Sequence, residues 1–133
     1  MARVRHKDTR PELTVRRALH AAGLRFRLHA ADLEGRPDII FRSRRIVVFV
    51  HGCFWHRHPS PSCKLTRMPK TRSDFWWPKF EATIARDRRN REALEAKGWN
   101  VLTIWECELT NPDALALVIS TVRSAPKALE RAN

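Results

Sequence analysis

Two apolar runs, Ile39-Ile40-Phe41 and Ile46-Val47-Val48-Phe49-Val50, stand only four residues apart, with Arg42-Ser43-Arg44-Arg45 between them. β-Branched and aromatic residues fill both runs, and a short basic turn joining them predicts an antiparallel hairpin. The second run is apolar throughout, as in a central strand covered on both faces. Such a hairpin needs further strands beside it and helices over it.

The flanking sequence supplies them. Phe26–His29 alternates as a short strand, and Asn100–Trp105 reads as another buried strand. Thr9-Arg10-Pro11-Glu12 fits a capping box, with Thr9 as N-cap and Glu12 reaching back. Val15, Ala18, Leu19 and Ala22 then follow at helical spacing, Gly23 supplies the stop, and Arg16 and Arg17 point away to solvent or phosphate. Pro78 is expected to open a second helix carrying Phe80, Ile84 and Leu94 inward and Arg86, Arg88, Arg89 and Arg91 outward, ending at Gly98. Asn111-Pro112 caps a last helix through Leu115, Val118, Ile119 and Val122. The expected order is α-β-β-β-loop-α-β-α, an α/β domain with a mixed central sheet flanked by helices. At 133 residues it forms a single domain over residues 1–133.

Charge narrows the partners. Lys and Arg number 26 against 14 Asp and Glu, a formal +12, and such an excess on one small domain points first to nucleic acid. No apolar run approaches the ~20 residues of a membrane span, and the basic N-terminus lacks the apolar stretch of a secretory signal. Three cysteines suit a reducing compartment better than a disulfide framework. The chain reads as soluble and intracellular, with no membrane partner.

From about residue 51 to residue 69 the chain has no period and is rich in His, Pro, Ser and Cys. A loop this long in a compact domain is functional or held by something. Cys53, His58 and Cys63 are separated by four intervening residues each, and Cys107 lies 44 positions beyond Cys63. Three cysteines and a histidine make the closed donor set of a structural Zn²⁺ site. On spacing alone His56 competes with His58, and free thiols remain the plain alternative.

Hairpin pairing also brings Asp38, at the start of one strand, to His51, at the end of the other. A carboxylate there can hold Mg²⁺, and His51 and His56 can move protons. Phe54, Trp55, Trp76 and Trp77 lie among Arg57, Lys64, Arg67, Lys70 and Arg72, the composition of a base-contacting surface. Trp77 is expected to be core among these four, as are Trp99 and Trp105.

Gly35-Arg36-Pro37-Asp38, then Phe49-Val50-His51-Gly52-Cys53-Phe54-Trp55-His56, Asp74-Phe75-Trp76 and Trp105-Glu106-Cys107 resemble the very short patch mismatch-repair endonucleases. The resemblance runs from about Lys7 to Cys107. It implies a restriction-endonuclease-like fold and Mg²⁺-dependent nicking of double-stranded DNA beside the thymine of a T:G mismatch, leaving a 5′-phosphate. Phe49 and His51 take the places of the Glu and Lys of that superfamily's signature. It implies Asp38 and the Val50 main-chain carbonyl as Mg²⁺ ligands, although the family usually has Thr at the Val50 position. His51 and His56 become the acid/base pair and Glu12 a supporting carboxylate. Cys53, His58, Cys63 and Cys107 become the structural Zn²⁺ ligands. Phe54, Trp55 and Trp76 become wedges into the duplex, with Arg57, Arg72, Arg86 and Arg89 as further DNA contacts.

The same resemblance implies a bacterial, cytoplasmic protein at the nucleoid, with mismatch-repair proteins as partners. Nicking one strand needs one active site, so a monomer is expected. Family members carry an N-terminal arm ahead of the point where this chain starts, and its loss would weaken binding or relax specificity. Two other readings stand beside this one: a nuclease of the same fold with restriction or defence specificity, and a zinc-bearing DNA-binding module without catalysis.

Overall fold

A computed structural model describes residues 9–60, 63–66 and 73–127, without the Trp55 and Ser73 side chains. Helix α1 (Arg10–Ala21) leads to strands β1 (Arg27–Leu28), β2 (Ile39–Phe41) and β3 (Ile46–His51). A short helix α2 (Cys53–His56), a long helix α3 (Ser73–Ala96), strand β4 (Asn100–Trp105) and helix α4 (Pro112–Ser124) follow.

The sheet has the order β1-β2-β3-β4. β1–β2 and β2–β3 are antiparallel, the hairpin pairing Ile39 with Val48 and Phe41 with Ile46. β3 and β4 run parallel, from Ile46↔Asn100 to His51↔Trp105. The return needed for a parallel pair is made through the aperiodic loop and α3. The sheet is thus mixed, as the sequence predicts.

Alternation along the hairpin sorts the core into two layers. Ile39, Phe41, Ile46 and Val48 pack with Val15 and Leu19 of α1 and Val118 and Val122 of α4. Ile40 and Val47 face the other way, onto Leu94 of α3, Trp99 and Val101. Charged residues lock the hairpin turn to both layers. Arg44 donates to the carbonyls of Val122 (2.8 Å) and Ala125 (3.0 Å). Arg45, in the left-handed region at φ 58°, lies over Trp99 and donates to the Lys97 carbonyl.

Four expectations need correction. α3 begins at Ser73, with Pro78 inside it as its sixth residue and not at its start; the ring removes the N–H that would bond the Asp74 carbonyl, one bond lost from a helix of 24 residues. Ile84 does not point inward: it is 38% exposed and borders a cleft. Trp77 is not core either, at 45% exposed; the fully buried aromatic of α3 is Phe80, on which Trp76 stacks. Arg16 turns towards the sheet and pairs with Glu12 instead of facing outward. Trp99 is buried as expected, and Trp105 is half-buried. The aperiodic loop contains the short helix α2 and a 3-10 turn at Lys64–Thr66.

Leu19, fully buried between α1 and the sheet, tests the packing. Leu19→Ala should destabilise the protein by about 2–5 kcal/mol. Leu117→Ala, on a side chain 68% exposed, should leave the urea midpoint near wild type.

Candidate active site and metal centre

One edge of the sheet collects the chemistry. His29 follows the end of β1, Asp38 precedes the start of β2, β3 ends at His51 and β4 at Trp105; the register places all four ends together. Asp38 precedes the Ile39↔Val48 pair, so its side chain crosses to β3, where Oδ2 accepts the Val50 N–H at 2.7 Å. Burial, augmented by the nearby Glu12 carboxylate, pushes the Asp38 carboxyl up to about 6, against the lowering effect of the Val50 N–H.

Glu12 reaches this edge from the first turn of α1. Thr9 is the N-cap, its hydroxyl accepting the Glu12 N–H. The Glu12 carboxylate, only 2% exposed, turns to the sheet: Oε2 lies 2.6 Å from His29 Nε2 and pairs with Arg16. A carboxylate only accepts, so the proton on that bond belongs to His29 Nε2. Ligand-type atoms of Glu12, His29 and Asp38 all lie within 4.8 Å of one another. A buried and a half-buried carboxylate with oxygen donors so close fit a hard divalent cation.

His51 is nearly buried and its ring stacks on His56, centroids 3.9 Å apart and 4° from parallel. Burial, with repulsion from His56, pushes the His51 imidazole down to about 3, so it is neutral at pH 7. His51 Nδ1 has no hydrogen-bond partner among the described residues. His56 Nδ1 bonds Asp87 Oδ2 at 2.7 Å. That bond sets the tautomer, leaving Nε2 of neutral His56 as the acceptor. Asp38, His51, His56 and Asp87 open onto a cleft of about 750 Å³, bordered also by Arg36, Arg86, Arg88 and Arg91.

The cysteines meet beside it. Cys53 and Cys107 each lie two residues past the paired His51↔Trp105, and the Cys107 N–H points to Cys53 Sγ at 3.4 Å. His58 Nδ1 lies 3.3 Å from Cys107 Sγ and 3.8 Å from Cys53 Sγ, and its ring stacks on Trp105. Cys63 completes the group, with all four ligand atoms within 4.8 Å. A tetrahedral Zn²⁺ would set S···N separations of about 3.5 Å, so the donors present fit that ion. His58 occupies the fourth place; His56 belongs to the other cluster.

The structure places the expected DNA contacts unevenly. Phe54 packs edge-on against Phe80 and Trp76, and Trp76 stacks on Phe80. Arg57 lies over Phe80 and donates to the carbonyls of Phe54 and Thr66, tying the loop together. Arg86 borders the cleft, whereas exposed Arg89 is not among its described lining residues. Arg72 and the Trp55 side chain lie outside the described residues. Sequence reasoning missed His29 and Asp87. A lone acid in the run Arg86-Asp87-Arg88-Arg89 was a visible signal; His29 had none beyond ending a strand.

Half-buried Asp38 beside the buried Glu12, and an Asp-oriented histidine on a cleft bordered by arginines, make a candidate hydrolytic site suited to a phosphate-bearing polymer. The family model described as DNA mismatch endonuclease Vsr matches residues 1–63. The chain is 56% identical over 115 residues to the type II nicking enzyme V.XorIIP of Xanthomonas oryzae pv. oryzae, across 86% of this chain and 82% of the relative. It is 41% identical over 115 residues to the DNA mismatch endonuclease Vsr of Escherichia coli K12, across 86% and 72% of the two chains. A third relative, the type II nicking enzyme V.NmeAIP of Neisseria meningitidis, is 40% identical over 111 residues, across 84% and 77%. The chain therefore belongs to the Vsr family of DNA endonucleases. No helix among the described residues is long and apolar enough to cross a membrane.

The burial of Asp38 has a consequence for stability. Between pH 3.8 and about 6 the folded protein keeps a proton that the unfolded chain has lost. Stability therefore falls as pH rises through that window, and the full deficit remains above it. In magnesium-free buffer at pH 7.5, Asp38→Asn should be more stable than wild type by on the order of 2–3 kcal/mol. The gap should close towards pH 4 in urea titrations.

Proposed function

We propose that the protein nicks duplex DNA on the thymine strand of a T:G mismatch by Mg²⁺-dependent phosphodiester hydrolysis, leaving a 5′-phosphate. The observation that carries this is the placement of Asp38 beside Glu12, with the His56–Asp87 pair opening onto the same arginine-walled cleft. Asp38 and the Val50 carbonyl would hold the Mg²⁺, which when bound polarises the phosphodiester and makes water more acidic. His56, oriented by Asp87, accepts the proton of the attacking water at Nε2. His51, neutral and stacked on His56, offers its ring nitrogens to the phosphate or leaving group. Arg36, Arg86, Arg88 and Arg91 draw the phosphate backbone into the cleft.

Phe54, Trp55 and Trp76 would act as wedges, and a T:G pair costs less to unstack than a matched pair. Arg57, Arg72 and Arg89 would add backbone contacts. Cys53, His58, Cys63 and Cys107 would bind a structural Zn²⁺ that orders the loop carrying these aromatics. The fold is read as restriction-endonuclease-like, and the protein as a monomer with one active site. A second reading, nicking without a mismatch requirement, is favoured by the 56% identity to a relative named as a type II nicking enzyme.

Nicking of a strand-labelled duplex separates the two. T:G duplex should be cut on the thymine strand only with Mg²⁺ present, matched duplex should persist, and Asp38→Ala should be inactive. Equal cutting of both duplexes would establish the second reading; full activity of Asp38→Ala would refute the site. Metal analysis should give one zinc per chain, lost in Cys107→Ala together with loop protection in hydrogen exchange.

A further inference from the structure

We infer that His29 is a positioning residue of the nicking reaction, holding the Glu12 carboxylate of α1 in place against Asp38 of the sheet. The inference rests on the site reading above and adds a residue to it. His29 touches both carboxylate-bearing residues: its Nε2 lies 2.6 Å from Glu12 Oε2, and its main-chain N–H donates to the Asp38 carbonyl at 3.1 Å. The register accounts for the second contact, since Leu28 pairs with Ile39 and the next residues outward are His29 and Asp38.

The backbone of His29 is itself unusual. Its φ of 49° lies in the left-handed region, which a residue with a Cβ adopts at a cost. Such conformations persist where surrounding bonds fix them, and they gather at functional sites. Here the kink ends β1 and turns the imidazole towards α1. Arg16 also pairs with Glu12, but it sits one turn along the same helix and moves with it. His29 comes from the sheet, so it references Glu12 to the strands that carry Asp38, Val50 and His51. Outer partners of this kind, when removed, typically lower metal affinity or activity by about 10–100-fold.

The test compares His29→Asn with His29→Gln. Asparagine tolerates the left-handed backbone, but its amide is too short to reach Glu12; glutamine's amide nitrogen extends about as far as Nε2. His29→Asn should lose about 10–100-fold in kcat on the T:G duplex with KM for DNA unchanged. Calorimetric titration of the zinc-loaded protein with Mn²⁺ should show affinity weakened by a similar factor, and His29→Gln should recover most of both. If His29→Asn matches wild type in kcat and Mn²⁺ affinity, or loses only melting temperature, the inference is overturned and His29 is a structural tie. Asp38→Ala run alongside separates the failures: an active Asp38→Ala sinks the site reading, whereas an inactive one beside a normal His29→Asn sinks only this inference.

Discussion

The parallel pairing of β3 with β4 is the constraint on which the rest depends. Its last rung, His51↔Trp105, sets two chain segments leaving the sheet side by side. Two residues further along each lie Cys53 and Cys107, already in contact before any metal is considered. The same rung places Trp105 edge-on to His51 and face-on to His58, so one indole is shared by both clusters. Functional groups gather at the carboxyl ends of parallel strands in open sheets because loops diverge there and leave a crevice. The antiparallel hairpin adds Asp38 to that edge from the opposite strand direction.

This concentration of polar groups works against stability. The Asp38 carboxyl is raised and the His51 imidazole lowered, each mainly by burial that disfavours its charged form. The two shifts act in opposite pH directions. His51 holds no proton in the folded state between about 3 and 6.5, so acid destabilises through it; Asp38 withholds stability above about 6. Groups strained in this way are usual where a site is preorganised for a charged ligand. A cation between Asp38 and Glu12 would relieve the carboxylates, which links metal binding to folding at the same place.

The hairpin, α1, β4 and α4 were legible because their apolar residues repeat at periods of two or 3.6 and their caps follow rules that act within a few residues. The start of α3 was not, because Pro78 is a strong local signal for a helix opening and the turn before it had no period of its own. Trp77 and Trp76 are neighbours in sequence, and which one packs on Phe80 is decided by the helix rotation about a tertiary contact. In the site, Asp38 and His51 followed from hairpin pairing, and the Cys/His set from spacing and residue type. The choice between His56 and His58 could not be made from spacing. It rests on Asp87, 31 residues beyond His56, which draws one histidine away from the cysteines. His29 and Asp87 meet their partners only through the fold, so no local pattern announced them.

Three clusters of metal-type side chains stand among the described residues; as proposed, one would hold the hydrolytic cation, one a structural zinc, and the third would handle protons without a metal. Anomalous diffraction from crystals soaked in Mn²⁺, recorded at the manganese and zinc edges, tests that division most directly. The account predicts zinc signal among Cys53, His58, Cys63 and Cys107, manganese signal against Asp38, and none between His56 and Asp87. Manganese bound by His51, His56 and Asp87, with Asp38 bare, would contradict it.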